Sequence, residues 1–300
     1  MTPAERRIRN QLPIIRFFQS YVPLRLSNWL IRQGLGRVRL GTDTKRETLS
    51  ANGVSCERIV PSGSRTDRVL LYLHGGGFVY GLTPPHLEMV AHLATRMNSQ
   101  ALLVDYRVAP EHPFPAALDD CITAYRWLIR QGYSARNIVI AGDSAGGNLA
   151  LTTMMALRDN GDALPVAAAC LSPVGDLSDR SDPTAGFKDP LLPARATRMY
   201  KRAYVADGNG RNPLVSPVFG DWRGLPPLLV HVGEDEILRD DAVRIKELAE
   251  AAGVDVQVAI YPRMWHVWQL YLDLPQAISS LEAIAQFLQL HLGAVAHESA

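Results

Sequence analysis

Residues 137–157 (NIVIAGDSAGGNLALTTMMAL) join two hydrophobic patterns with no linker between them. The first part is an apolar run typical of a buried strand, and the part after the glycines has the pattern of a helix. A strand that passes directly into a helix is characteristic of β–α units, whose strands are usually parallel and covered by helices on both faces. This junction therefore favours an α/β fold.

The alternation of strand and helix patterns continues on both sides of this junction. Strands are predicted at residues 69–73, 101–104, 137–141, 166–171, 228–232 and 256–261. Helices are predicted at residues 86–97, 115–130, 146–158, 240–252 and 276–292. A chain of 300 residues suits one such core with insertions. We predict an α/β fold with a mostly parallel central sheet and helices on both faces.

Two segments lie outside the alternation. Residues 1–40 are helical in pattern, and residues 176–215 interrupt the alternation after the strand predicted to end at Leu171. We predict that both segments belong to a helical cap over the carboxyl ends of the strands, where open α/β sheets bind ligands. The core would then comprise residues 46–175 and 216–300, with N-terminal cap or lid helices in residues 1–45 and a cap insertion at residues 176–215.

The charge balance and the apolar runs exclude several classes of partner. The 31 Lys and Arg side chains nearly match the 30 Asp and Glu side chains, so we expect no nucleic-acid partner. No run reaches the roughly 18 apolar residues of a membrane span, and Pro13 and Arg16 interrupt the N-terminal segment in a way untypical of a signal peptide. The three cysteines lack metal-binding spacing. We predict a cytoplasmic protein without stable membrane insertion.

Ser144 lies at the centre of the strand–helix junction, in the motif GDSAG. A lone G-x-S-x-G match is a weak signal, because glycine-rich β–α turns also bind phosphate or simply pack tightly. Between a strand and a helix the same motif is typical of a nucleophile elbow, whose sharp turn leaves no room for side chains two residues before and after the serine. The Ala145 N–H and the helix dipole would then stabilise negative charge beside the hydroxyl.

Three consecutive glycines follow the first predicted strand, in the segment HGGGFVYG at residues 74–81. Because glycine has no side chain, its backbone N–H group can closely approach a reacting oxygen. A phosphate-binding loop is the alternative, but neither the P-loop spacing nor the dinucleotide-binding spacing is present. Together with the N–H of Ala145, this loop is predicted to form an oxyanion hole with three donors.

His266 is the strongest candidate for a general base among the eight histidines. It follows the last predicted strand on a loop, and in nucleophile-elbow enzymes the histidine comes after the serine and the acid in the chain. Neutral His266 would accept the proton of Ser144 and later donate it to the leaving group. The other seven histidines precede the serine, lie inside a strand or belong to the last helix and tail: His74, His86, His92, His112, His231, His291 and His297.

The acid that would orient His266 is expected just after the strand predicted at residues 228–232. Five acidic side chains follow this strand: Glu234, Asp235, Glu236, Asp240 and Asp241. Asp240 and Asp241 fit the first turn of the next helix, where the helix dipole stabilises negative charge. Physical reasoning from the residues leaves Glu234, Asp235 and Glu236 as alternatives.

Four segments, in this order, resemble the bacterial hormone-sensitive lipase family of α/β-hydrolase esterases: HGGGFVYG, DYRVAPEHPFPAALDD, GDSAGG and MWHVWQ. The resemblance covers roughly residue 70 to the C-terminus. It implies a triad acid nine residues after the proline that precedes the strand, which is Glu236 counted from Pro227. The sequence departs from the family in having Glu where Asp is commoner, and Asp235 beside it is the alternative.

The same resemblance implies roles for other residues. It makes the N–H groups of Gly76, Gly77 and Ala145 the oxyanion donors. It also implies that Asp143 and Glu111 support loops, and that the Ser172–Pro173 dipeptide is structural.

The resemblance further implies a serine carboxylesterase with Ser144, His266 and Glu236 as its triad. Its substrates would be short-acyl-chain esters, including lactones or acetylated small molecules, and it would need no metal or organic cofactor. The expected partners are a small-molecule ester and a second subunit, bound through the edge of the last strand. An amidase or peptidase with the same triad, and a binding protein without catalysis, are the alternatives.

Four aromatic residues of the N-terminal segment are expected to wall the pocket as a lid: Phe17, Phe18, Tyr21 and Trp29. The alternative is a basic amphipathic segment that lies on a membrane or lipid surface. Because Pro13 and Pro23 are expected to break the helix, the lid is favoured.

Overall fold

A computed structural model describes residues 1–36, 38, 40–178, 189–206 and 208–294. These residues form an eight-stranded sheet in the order β1-β2-β4-β3-β5-β6-β7-β8. The strands are β1 (Thr44–Ala51), β2 (Val54–Pro61), β3 (Val69–Leu73), β4 (Gln100–Val104), β5 (Ile138–Asp143), β6 (Ala168–Leu171), β7 (Leu228–Gly233) and β8 (Val256–Tyr261). Strands β3 to β8 pair in parallel, and β1 and β2 are antiparallel to their neighbours. The predicted mostly parallel sheet is confirmed.

Helices cover both faces of this sheet, as predicted. The helices of the described residues are α1 (Pro3–Tyr21), α2 (Leu24–Leu35), α3 (Pro84–Arg96), α4 (Ala116–Arg130), α5 (Ala145–Asp159), α6 (Ala194–Tyr204), α7 (Arg239–Ala251) and α8 (Pro275–Ala294). In β3, Leu71 and Leu73 pack into the core cluster that includes α4, α5 and α7, whereas Leu70 and Tyr72 pack into the cluster that includes α3 and α8. Burial on both faces explains why β3 is apolar throughout.

The hairpin of β1 and β2 was absent from the sequence prediction. Its turn is Asn52-Gly53, and both residues have positive φ, 53° and 94°. This pair is a strong hairpin signal, because a two-residue turn of this kind needs positive φ at both positions. The polar composition of β1 gives no clear strand pattern, since β1 lies at the edge of the sheet and is partly exposed to solvent. The opposite edge is β8, and a dimer through that edge stays a prediction.

The N-terminal helix α1 is longer than expected. Pro13 lies inside it and does not end it, so the predicted break occurs only at the Val22–Pro23 step before α2. Proline in a helix loses one backbone hydrogen bond, but tertiary packing offsets this loss: Ile8 and Leu12 are buried in a cluster with the tryptophans of the loop after β8. Within the described residues, no helix is long and apolar enough to cross a membrane.

The second cap segment contains α6. Of the predicted cap insertion at residues 176–215, residues 179–188 and 207 lie outside the described residues. Residues 37 and 39 of the N-terminal cap segment also lie outside them. The division of the chain into core and cap stays a prediction.

Replacing Leu12 with Ala is expected to weaken the docking of α1. Leu12 is 2% exposed, and truncating a buried leucine costs about 2–5 kcal/mol. Hydrogen exchange of the α1 amides should therefore accelerate. Ile14→Ala on the same helix removes a side chain that is 59% exposed and serves as the control. Equal exchange rates in the two variants would contradict this account of α1 docking.

Candidate active site

Ser144 occupies a strained turn between β5 and α5. Its backbone has φ 54° and ψ −118°, which is unfavourable for any residue with a side chain. The Ser144 N–H donates to the Leu171 carbonyl oxygen at 2.8 Å, which holds the turn. A Cβ added to Gly142 would overlap the backbone of Gly146, and one added to Gly146 would overlap the carbonyl oxygen of Leu73. The two glycines of the motif are therefore required by packing.

A chain of hydrogen bonds joins Ser144, His266 and Glu236. The Ser144 hydroxyl lies 2.9 Å from Nε2 of His266, and Nδ1 of His266 lies 2.7 Å from Oε2 of Glu236. Because a carboxylate only accepts, Nδ1 carries the proton and Nε2 is left to accept from the serine hydroxyl. All three side chains are buried.

The neighbouring acids of Glu236 are directed elsewhere. Asp235 pairs with Arg9 at 3.3 Å and is 38% exposed, and Glu234 accepts from the N–H of Arg263. Asp240 lies in the first turn of α7, as predicted, and is exposed. Of the three acids that the residues alone left open, the structure brings Glu236 to His266.

Two buried side chains hold the Glu236 loop. The Ser172 hydroxyl donates to Oε1 of Glu236 at 2.7 Å, and Ser172 Oγ also accepts from the Val267 N–H beside His266. Asp189, which is 2% exposed, accepts from the Ile237 N–H at 3.0 Å. The family resemblance made Ser172 structural, and no sequence signal marked Asp189, because the partners of both residues lie more than 40 residues away in the chain.

The charges around His266 raise the pKa of its imidazole above the usual value. Burial by itself lowers this pKa, but the hydrogen bond and negative charge of Glu236, with smaller contributions from Asp189 and Asp143, outweigh it. The protonated imidazole is therefore stabilised where it would form during proton transfer.

The glycine loop lines the same cavity as Ser144. Gly76 and Gly77 have positive φ, 124° and 61°, and a Cβ on Gly77 would overlap the ring of Tyr200. Oδ1 of Asp143 accepts from the Gly75 N–H at 2.9 Å, so this carboxylate holds the loop.

Asp143 has further partners that fix it in place. The Tyr72 hydroxyl donates to Oδ1 at 2.9 Å, and Nε2 of His86 lies 3.3 Å from Oδ2. Glu111, expected to support a loop as well, is half-exposed and pairs with Arg25 of α2.

The other buried histidines have structural surroundings. Burial lowers the pKa of His74 to about 3, and the ring stacks on Tyr106. Burial lowers the pKa of His231 to about 4, and its Nδ1 lies 2.8 Å from the Ser280 hydroxyl oxygen. Both therefore stay neutral at pH 7.

The N-terminal helices contact the loops of the candidate site. Arg9 of α1 pairs with Asp235, donates to the Arg263 carbonyl oxygen, and places its guanidinium 5.1 Å from the Trp265 ring centre. It thus joins the loop of Glu236 to the loop of His266. Asn28 of α2 donates to the Val79 carbonyl oxygen at 2.8 Å and accepts from the Gly81 N–H at 3.1 Å. Local sequence patterns gave no signal for either contact.

A cavity of about 640 Å³ opens over Ser144, between the loops of the site and helices α1, α2 and α6. Its lining is mostly apolar and includes Ile15, Phe18, Leu30, Ile31, Leu191 and Tyr200. Of the four aromatic residues expected to wall the pocket, Phe18 does so. Phe17, Tyr21 and Trp29 do not line it and are exposed, which corrects the prediction. The physical reason for the first two is the helical period, which places Phe17 and Tyr21 together on the outer side of α1.

The family model described as the alpha/beta hydrolase fold matches residues 70–270. The chain belongs to this family. An acetyl-hydrolase of Streptomyces hygroscopicus is 38% identical over 89% of this chain and 94% of that protein. An esterase of Acinetobacter venetianus is 38% identical over 78% of each chain. A solved esterase of the bacterial hormone-sensitive lipase family superposes with a TM-score of 0.89 at 38% identity, covering 98% of this chain and 99% of the other.

The relatives and the solved structure narrow the assignment of the chain within the α/β-hydrolase family. It is a carboxylic ester hydrolase of the bacterial hormone-sensitive lipase type. The resemblance on which the sequence prediction rested is confirmed.

Replacing Glu236 with Gln should lower the pKa of His266, because the attractive charge is lost and burial then dominates. Titration of the imidazole by NMR measures this change. Asp235→Asn removes an adjacent carboxylate that pairs with Arg9, and it should leave the titration close to that of the wild type. A larger change in Asp235→Asn than in Glu236→Gln would show that the wrong carboxylate had been assigned.

Proposed function

We propose that this ester hydrolase acts through Ser144 as nucleophile, His266 as general base and acid, and Glu236 as the group that orients His266. The observation that carries the proposal is the buried hydrogen-bond chain from Ser144 to Glu236, with distances of 2.9 and 2.7 Å. In attack, the Ser144 oxygen bonds to the ester carbonyl carbon while its proton passes to Nε2 of His266. Glu236 stays ionised and stabilises the imidazolium.

The tetrahedral intermediate then loses its alcohol. The bond from carbon to the alcohol oxygen breaks, and the imidazolium donates its proton to that oxygen, which leaves an acyl group on Ser144. Water repeats the cycle: its proton passes to His266, its oxygen bonds to the acyl carbon, and the Ser144 oxygen leaves with the proton. A carboxylic acid is released and the enzyme returns to its starting state.

The developing oxyanion is stabilised by the N–H groups of Gly76, Gly77 and Ala145. Support comes from the position of the glycine loop beside Ser144 in one cavity, and from Ala145 as the first residue of α5, where the helix dipole favours negative charge. Preorganised donors of this kind are worth about 10²–10³ in rate each.

The preferred substrates are esters of short acyl chains, including acetylated small molecules. The cavity of about 640 Å³ is in the range of small-molecule sites, and a relative with 38% identity is named an acetyl-hydrolase. The apolar lining provides binding energy for the acyl and alcohol parts, while the polar groups converge on Ser144.

Activity on p-nitrophenyl acetate, butyrate and decanoate tests this function. Ser144→Ala should reduce kcat by about 10⁴-fold or more and Glu236→Ala by about 10³–10⁴-fold, whereas Asp235→Ala should change it much less. The acid limb of kcat/KM should follow the raised pKa of His266, because the neutral imidazole is the active form, and it should move to lower pH in Glu236→Gln.

Three outcomes would overturn parts of this proposal. Loss of activity in Asp235→Ala with full activity in Glu236→Ala would transfer the orienting role to Asp235. Wild-type turnover no higher than that of Ser144→Ala on all three esters would remove Ser144 as nucleophile. Faster turnover of the matching anilides than of the esters would favour an amidase.

Arg9→Ala should lower kcat about tenfold, because small displacements of reacting groups are costly, and leave KM for p-nitrophenyl acetate nearly unchanged. Arg9 joins the two loops that carry Glu236 and His266 but does not line the cavity. Arg7→Ala is the matched control, since Arg7 lies on the same helix as Arg9 and pairs with a different carboxylate, that of Asp273. Equal effects of the two substitutions would mean that Arg9 only docks α1.

A further inference from the structure

The outer side of the N-terminal helices exposes an unusual amount of apolar surface. Of thirteen exposed large hydrophobic side chains in the described part of the chain, seven lie on α1 and α2. They are Ile14, Phe17, Phe18, Tyr21, Leu26, Trp29 and Leu30, and we call them the N-terminal apolar surface. Concentrations of exposed apolar side chains on a monomer mark interaction sites more often than chance exposure does.

The helix pair has two faces with different contacts. Ile15 and Ile31 line the cavity, while Phe17, Tyr21 and Trp29 are 57–62% exposed. No residue of α2 is buried, and all twelve of its residues are described. Helix α2 therefore lies on the protein surface and leaves Leu26, Trp29 and Leu30 exposed.

The apolar surface continues into the cavity over Ser144. Phe18 and Leu30 line the cavity and are also 48% and 47% exposed, so they form its rim. Anything that covers the N-terminal apolar surface therefore lies beside the entrance through which an ester would pass.

The helices that carry this surface, and the neighbouring α6, are rich in cationic side chains. Helices α1, α2 and α6 carry ten Arg and Lys residues and one acidic residue, Glu5, in a chain with a net charge of only +1. Three carboxylates from elsewhere also pair with these helices: Asp235, Asp273 and Glu111. The guanidinium of Arg195 on α6 lies 5.2 Å from the ring centre of Tyr21, which joins the cations to the apolar surface.

We propose that the N-terminal apolar surface docks on an anionic lipid surface and places the cavity entrance against esters held there. Exposed aromatic and aliphatic side chains insert into the headgroup region, and neighbouring cations contact the anionic headgroups. An interfacial helix lies in the plane of the lipid surface and needs no membrane-spanning length.

The charge argues against a second copy as the occupant. In a two-fold symmetric dimer the same patch meets itself, so two sets of cations would be brought together, whereas anionic lipid neutralises them. The continuity of α1 through Pro13 also removes one of the two breaks that disfavoured a lipid-bound helix, while the break at Pro23 remains between α1 and α2.

Vesicle binding of the full-length Ser144→Ala protein tests the proposal without hydrolysis of the lipid. Equimolar phosphatidylcholine and phosphatidylglycerol vesicles should bind about tenfold more protein in sedimentation than phosphatidylcholine vesicles do, and added salt should reduce the difference. The tryptophan emission should shift to shorter wavelength on binding, because Trp29 is 57% exposed in the free protein.

The matched variants remove equal numbers of exposed apolar side chains. The N-terminal triple variant, which combines Phe17→Ser, Tyr21→Ser and Trp29→Ser, should not bind vesicles. In an otherwise wild-type chain, the same triple substitution should retain kcat/KM on p-nitrophenyl acetate, because none of the three residues lines the cavity. The control triple variant removes three exposed apolar side chains of α4, α7 and α8, by Ile129→Ser, Val243→Ser and Leu290→Ser. Its vesicle binding should be unchanged.

Three results would overturn the proposal. The first is no binding of the Ser144→Ala protein to anionic vesicles, and the second is equal loss of binding in both triple variants. The third is that the Ser144→Ala protein is a dimer, the N-terminal triple variant is a monomer, and vesicles bind neither of them. A second copy of the chain would then be the occupant of the surface. Absence of esterase activity with intact vesicle binding would instead count against the proposed function alone.

Discussion

The buried carboxylate of Glu236 is the constraint on which the geometry of the site depends. An ionised group taken out of water is stable only when other groups satisfy it, and here His266, the Ser172 hydroxyl and the Gly233 N–H do so. Each of these partners belongs to a different loop or strand end of the sheet. Satisfying one charge therefore brings together the acid loop, the histidine loop and the end of β6, next to the turn that carries Ser144.

A second buried carboxylate performs the same task for the glycine loop. Asp143 directly precedes Ser144, and it holds the Gly75 N–H, the Tyr72 hydroxyl and the imidazole of His86. The residue beside the proposed nucleophile thus fixes the loop of the proposed oxyanion donors. Rigid placement of this kind is what electrostatic catalysis requires, because donors that are already oriented need no reorganisation during the reaction.

The N-terminal helix pair combines three relations to the site. Arg9 and Asn28 bind its loops, Ile15 and Phe18 line its cavity, and the outer aromatic residues meet solvent. A single amphipathic pattern cannot describe such a segment, because both sides of α1 carry large apolar side chains. The sequence therefore led to both a lid and a lipid-surface interpretation. The residues that line the cavity fit the first, and the exposed aromatic residues fit the second.

The sequence by itself determined the α/β class, the serine turn, the glycine loop and His266, because each of these rests on contacts between near neighbours in the chain. A strand periodicity, a glycine that avoids a clash and a histidine after the last strand are local facts. Reasoning from the residues left Glu234, Asp235 and Glu236 open, and only the family resemblance implied Glu236. Tertiary structure decided that Glu236 meets His266, since the folded loop sets the direction of each of these consecutive side chains. It also decided the roles of Ser172, Asp189, Arg9 and Asn28, whose partners lie about 50 to more than 200 residues away. No local pattern records a contact across that separation.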